Sequence, residues 1–137
     1  MDLKEIGLVD PDKHWYYQHK AEFIFKKVVK YLNKSKTLID VGAGSGFFAK
    51  YFVNKLADIK VYCVDPYYTN EEVGEFNSIN FVREAPAIQS DLLIFIDVLE
   101  HVDNDKNLIE IYKKNSKKDS IFVFSVPAFN FLWSKHD

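Results

Sequence analysis

The chain has one cysteine, Cys63, set inside the apolar run V-Y-C-V. A lone thiol cannot make a disulfide within the chain, and in such a run it reads as a small buried hydrophobe. No apolar run approaches the roughly 18 residues that a membrane-spanning helix requires. The opening M-D-L-K-E-I-G has the form of neither a signal nor a transit peptide, so a cytoplasmic location is expected. Neither charge dominates: 18 Lys and Arg stand against 20 Asp and Glu, a net −2. That balance gives no general attraction to nucleic acid or to an anionic membrane. The four histidines (His14, His19, His101, His136) are scattered and none pairs with Cys63 at metal-ligand spacing, so no metal is assigned. There is no internal repeat.

What is present is a folding composition. With 47% hydrophobic and 16% aromatic residues, 137 residues suffice for one domain with a continuous core. The spacing predicts a helix over 13–33, with Asp12 as N-cap and with Phe23, Ile24, Val28, Tyr31 and Leu32 inward. The aromatic cluster Trp15, Tyr16 and Tyr17 at its start is expected to pack on the core. Strands are predicted over 38–42, 59–65, 79–82, 91–98 and 120–126, with Pro66 and Pro127 stopping the second and fifth. Residues 67–78 are polar and read as a weak helix or loop, and 103–114 as a helix with Leu108, Ile109, Ile111 and Tyr112 inward. Helices alternating with strands predict a doubly wound, mainly parallel α/β sheet in three layers. Ligands of such sheets bind beyond the carboxyl ends of the strands. The single domain, 1–137, divides into an N-terminal helix over 12–34, a core over 37–127 and a C-terminal segment over 128–137.

The most informative stretch is T-L-I-D-V-G-A-G-S-G-F-F, residues 37–48. A short strand, a glycine turn and a helical pattern from Phe47 form a unit that brings backbone N–H groups close to a nucleotide. A dinucleotide fingerprint, G-x-G-x-x-G/A, fails from Gly42, because Phe47 takes its sixth position. It fits from Gly44 only with its first glycine displaced into the turn. The pattern that fits without adjustment is apolar-apolar-acid-apolar-G-x-G-x-G.

In that form the stretch resembles motif I of the class I S-adenosylmethionine-dependent methyltransferases. V-Y-C-V-D-P is similar to the second strand of that family, and three further segments resemble its small-molecule subgroup (types 11 and 12): H-W-Y-Y-Q-H-K-A-E, D-V-L-E-H-V and V-P-A-F-N-F-L-W-S-K-H-D, all in the family's order. The resemblance implies the strand order 3-2-1-4-5 and S-adenosylmethionine as cofactor, with S-adenosylhomocysteine as product. It implies a small-molecule, saccharide or lipid-linked acceptor. Gly42, Ala43, Gly44 and Gly46 would pass close to the methionine part, and Asp40 would receive its ammonium or else cap the following helix. Asp65, followed by Pro66, would hold the ribose. Glu84 and Ala85 would reach the adenine, although this chain has Arg-Glu-Ala where the family has Gly-Asp-Ala. Asp97 and Val98 would line the cofactor, with Glu100 and His101 beside the acceptor and His101 as candidate base. Tyr16 or Tyr17 would cover the sulfonium, and Lys20 would pair with the cofactor carboxylate. Two expectations compete with a transferase: a binding module that transfers nothing, and a nicotinamide-dependent oxidoreductase. The family sheet has two strands beyond the fifth, so this sheet is expected to lack strands six and seven and to have an open edge. Pairing into a homo-oligomer is then expected through that edge or through residues 129–133.

Overall fold

The computed structural model describes residues 10, 13–32 and 36–126. The expected cap at Asp12, the stop at Pro127 and residues 129–133 lie outside them. Six strands form one sheet: β1 (Lys36–Val41), β2 (Ile59–Val64), β3 (Gly74–Phe76), β4 (Ile79–Val82), β5 (Leu92–Ile96) and β6 (Ile121–Ser125). Their spatial order is β3-β4-β2-β1-β5-β6. The five predicted strands stand in the expected order, and all pair in parallel. The addition is β3, antiparallel to β4, within the segment read as a weak helix or loop. Asn77 and Ser78, both with positive φ, make the tight turn that lets Gly74–Phe76 fold back on β4.

Period-two alternation decides which face each strand residue serves. Leu38, Val61, Cys63, Leu92, Ile94 and Ile96 point to the layer of helices α1 (Trp15–Val28) and α2 (Phe47–Lys55). Ile39, Val41, Val64, Leu93 and Phe95 point to the opposite layer, where α3 (Asp105–Lys113) contributes buried Tyr112. β5 is buried along its whole length, as a near-continuous apolar run in a central parallel strand requires. Cys63 is fully buried, and burial pushes its thiol far above the usual range.

The helices depart from expectation in which faces they bury. α1 starts at Trp15 with His14 as N-cap, and closes in a 3-10 turn, Val29–Tyr31. Its core stripe is Ala21, Ile24 and Val28. Phe23 lies about 100° round the helix from Ile24 and is 63% exposed, and Tyr31, in the 3-10 turn, is 61% exposed. Of the opening aromatic cluster only Tyr17 reaches the core, edge-on to Phe47 at 6.2 Å, while Trp15 and Tyr16 remain exposed. In α3, Asn104 caps the helix by accepting the Asn107 N–H at 3.0 Å. Ile111, predicted inward, is exposed beside buried Tyr112, from which it lies about 100° round the helix.

Candidate functional site at the carboxyl edge of the sheet

β1 is the central strand, paired with β2 on one side and β5 on the other, and its carboxyl end opens into the glycine turn. The ladder to β2 continues past the strand: the N–H groups of Gly42 and Ala43 both donate to the Val64 carbonyl, at 2.7 and 3.2 Å. Gly42 has φ +66°, and a Cβ there would stand 2.5 Å from Val98 Cγ2. Gly46, at φ +70°, would bring a Cβ to 3.0 Å from Phe81 and 3.3 Å from Cys63. Both positions therefore demand glycine for their backbone angle and for space. The turn closes with Gly46 N–H on the Ala43 carbonyl, and Lys50 N–H on the Gly46 carbonyl opens α2.

Asp65, immediately after β2, ties two turns together. Its Oδ2 accepts the Gly44 N–H at 3.1 Å and its Oδ1 the Tyr67 N–H at 3.0 Å. A carboxylate has about four lone-pair sites, so each oxygen can accept one further donor. Tyr68, which sequence reasoning did not single out, is buried and donates its hydroxyl to the Gly44 carbonyl at 2.8 Å. Gly44 is thus gripped at both its N–H and its carbonyl by the segment after β2. Only an aromatic three residues beyond the strand-end acid could have signalled this. Arg83 holds the same segment through its Nε on the Tyr68 carbonyl at 2.6 Å and a terminal nitrogen on the Asn70 amide oxygen.

Asp40 lies beneath the turn, 1% exposed, rather than open on the edge. Burial raises its carboxyl to about 7, against a partial offset from the Ala49 backbone N–H. Its Oδ2 has no hydrogen-bond partner, nor has the buried Oγ of Ser45 in the turn itself. Two more such atoms, His14 Nδ1 and Glu100 Oε2, belong to the start of α1 and the turn after β5. The fifth, Ser90 Oγ, precedes β5 at the opposite edge of the sheet, so four of the five such atoms among the described residues lie on segments at the carboxyl edge.

The opposite wall is the turn after β5. Asp97 has φ +53°, in the left-handed region that few non-glycine residues adopt. Three contacts fix it: its N–H donates to the Ser125 carbonyl at 2.9 Å, Ser125 Oγ donates to its Oδ1 at 2.9 Å, and Lys20 Nζ reaches its Oδ2 at 2.5 Å. Lys20 is half of an ion pair rather than a free cation, and Tyr16 lies beside it, hydroxyl 3.3 Å from Nζ. Val98 fills the space that Gly42 leaves open. Glu84 is exposed after β4, without a hydrogen bond or ion pair among the described residues. Ala85 packs against the core, Pro66 turns the chain after Asp65, and His101 is exposed in the 3-10 turn Leu99–His101.

The structure therefore gathers Gly42 to Gly46, Asp65, Asp97, Val98 and Lys20 at one edge. A groove of about 720 Å³ runs along the flank of α2 and is lined by Lys50, Asn54, Tyr68, Phe76 and Phe81. It meets the glycine turn only at Gly44, where Tyr68 stands between, so the polar convergence lies at the edge and not in the groove. No group of three or more metal-ligating side chains occurs among the described residues, and none of their helices is long and apolar enough to cross a membrane.

Comparison with known proteins agrees with this fold. Coclaurine N-methyltransferase, solved with N-methylheliamine and SAH, superposes with a TM-score of 0.62 at 15% identity, over 79% of this chain and 35% of that one. An S-adenosylmethionine-dependent methyltransferase from Clostridium acetobutylicum gives 0.59 at 17% identity, over 88% and 52%. One from Aquifex aeolicus gives 0.55 at 16%, over 85% and 72%. At these identities the likeness is one of fold, and the chain spans about a third to a half of the first two. No curated protein matches it. A family model described as "Methyltransferase domain" matches residues 13–136. With nearly the whole chain so matched, it belongs to the methyltransferase domain family.

Proposed function

We propose that this chain binds S-adenosylmethionine across the glycine turn and transfers its methyl group to a small-molecule, saccharide or lipid-linked acceptor. The observation that carries the reading is Asp65 holding Gly44, next to a turn in which a Cβ at Gly42 or Gly46 would collide. The spare lone pairs of Asp65, beside a backbone that carries no side chain at Gly44, fit a ligand with donors and a narrow body. Bound there, S-adenosylmethionine would supply a methyl carbon on a sulfonium, already a good leaving group.

This chain's residues then have little bond-making to do. Their task is to align the acceptor and exclude water. Asp65 would accept ribose hydroxyls on its outward lone pairs, and Glu84 would be the free acceptor for an adenine amino group. Tyr16 and the turn at Asp97 and Val98 would close the sides. Asp40 supports the start of α2 from below. His101 is the candidate base for an acceptor proton, being an exposed imidazole on the turn after β5.

Calorimetry with S-adenosylhomocysteine and with NAD tests the cofactor. Binding of S-adenosylhomocysteine, weakened at least tenfold in Asp65→Asn, is expected; binding of NAD alone would overturn the reading. A second reading is a module that binds the cofactor without transferring. Labelled S-adenosylmethionine incubated with a metabolite extract separates the two, since a labelled product requires transfer.

A further inference from the structure

The outward side of α1 is unlike the rest of the surface. Along a ridge at i, i+4 spacing that winds about 160° round the helix axis, with Phe23 at its middle, stand Trp15, His19, Phe23, Lys27 and Tyr31, ring and cation-capable side chain in alternation. Trp15, Phe23 and Tyr31 are 69%, 63% and 61% exposed, and the core is served by Ala21, Ile24 and Val28, about 100° or more round the helix from Phe23, so packing does not demand these rings. Lys27 Nζ sits 5.3 Å from the Phe23 ring centre and Lys30 Nζ 4.9 Å from that of Tyr31. Residues 15–31 hold four lysines and one acid, Glu22, in a chain whose net charge is −2. That one acid is occupied by Lys26 at 2.6 Å. Lys26 chiefly, with His19 and Lys55 of α2 adding, holds the Glu22 carboxyl below its usual range, so the positive field extends onto the neighbouring helix.

We propose that this ridge seats the protein on an anionic lipid surface. Exposed indole, phenyl and phenol rings favour the headgroup boundary, where an apolar body and a wet rim are both satisfied, and interleaved lysines meet lipid phosphates. Each lysine brought near such a surface raises partitioning about fivefold. Other occupants fit less well. Successive ridge rings are eight residues apart, about 12 Å along the helix, too far to stack adjacent bases of a single strand. A second copy of the chain packed about a two-fold axis would set lysine against lysine. The net charge argues against any general attraction to anionic membranes, but it averages over a segregated surface. Lys20, on the flank of the same helix, is bonded to Asp97 at the carboxyl edge of β5. The seated helix would therefore hold that edge beside the membrane, which selects for lipid-linked or membrane-partitioned acceptors. This last consequence rests on the proposed methyl transfer, whereas the seating does not.

The full chain should co-sediment with vesicles of phosphatidylcholine containing phosphatidylglycerol at least tenfold better than with phosphatidylcholine alone, and high salt should release it. The exposed pairs Phe23→Ser/Tyr31→Ser and Lys27→Glu/Lys30→Glu should each lower partitioning about tenfold. Circular dichroism and S-adenosylhomocysteine calorimetry should match the parent chain. Equal pelleting with both vesicle types, no pelleting, or variants that pellet like the parent would overturn the seating. So would tighter binding to single-stranded RNA, or self-association that both variants abolish. A parent chain that pellets but binds no S-adenosylhomocysteine would refute the cofactor reading and leave the seating intact.

Discussion

Two residues beside the glycine turn carry opposed kinds of strain. At Gly42 the strain is steric and conformational. An alanine there must adopt φ +66° and push Val98, whose Cγ2 would lie 2.5 Å from the new Cβ. The left-handed backbone costs about 1–2 kcal/mol, and the overlap about 1–3 kcal/mol more. Gly42→Ala should lower stability by roughly that sum in urea unfolding, and Val98→Ala in the same chain should restore the overlap portion alone. Full recovery would show that the backbone angle carries no cost. At Asp40 the strain is electrostatic. Its carboxyl is raised from 3.8 to about 7 by burial. Between those values the folded chain binds a proton that the unfolded chain has released, so stability falls as pH rises from about 4 to about 7. Three units correspond to about 4 kcal/mol at most. Asp40→Asn should flatten the dependence of Tm on pH across that window and be more stable than the parent at pH 8. An unchanged profile in the variant would place the titrating group elsewhere.

At the scale of elements, the join that matters is α1 to the end of β5. Lys20 and Asp97 lie 77 residues apart, and their side chains are 15% and 27% exposed. A pair this far from full burial is worth less than a buried one, so a coupling of about 1–2 kcal/mol is expected. The double-mutant cycle of Lys20→Met with Asp97→Asn measures it by urea unfolding, and strictly additive losses would mean that the pair does not hold the helix. Such joins explain what was legible in the sequence. Strands could be read because an apolar run such as Leu92–Ile96 has one physical solution in a covered sheet, burial on both faces. The glycine turn could be read because glycine spacing encodes backbone angles directly. Phe23 and Ile111 were misassigned because a helix offers a continuum of faces, and a rich supply of apolar residues does not say which stripe meets the sheet. Tyr68 and the Lys20–Asp97 pair were illegible for a different reason. Each is a contact between segments far apart in sequence, and no local pattern specifies it.

The whole molecule is asymmetric at its two sheet edges. On one side, the short antiparallel β3 finishes the sheet, and turns at both its ends limit what can be added. On the other side, β6 pairs only with β5 among the described residues. Its exposed position, Phe124, is apolar and 44% exposed, Val126 just beyond it is 55% exposed, and the Phe124 ring continues a stack that runs through Phe95 at 5.1 Å. Lysine or proline at an edge discourages pairing, and within Ile121–Ser125 there is neither. Among the described residues this edge is an apolar strand with one row of backbone groups unpaired. A strand from another copy would satisfy that row and cover Phe124, so the chain should associate through β6 as a dimer or larger assembly. Sedimentation velocity over a wide concentration range tests this: the parent chain should shift toward faster species as concentration rises, and Phe124→Lys should remain monomeric. A parent chain that stays a monodisperse monomer at high concentration would refute it, and association that survives Phe124→Lys would move the interface to another face.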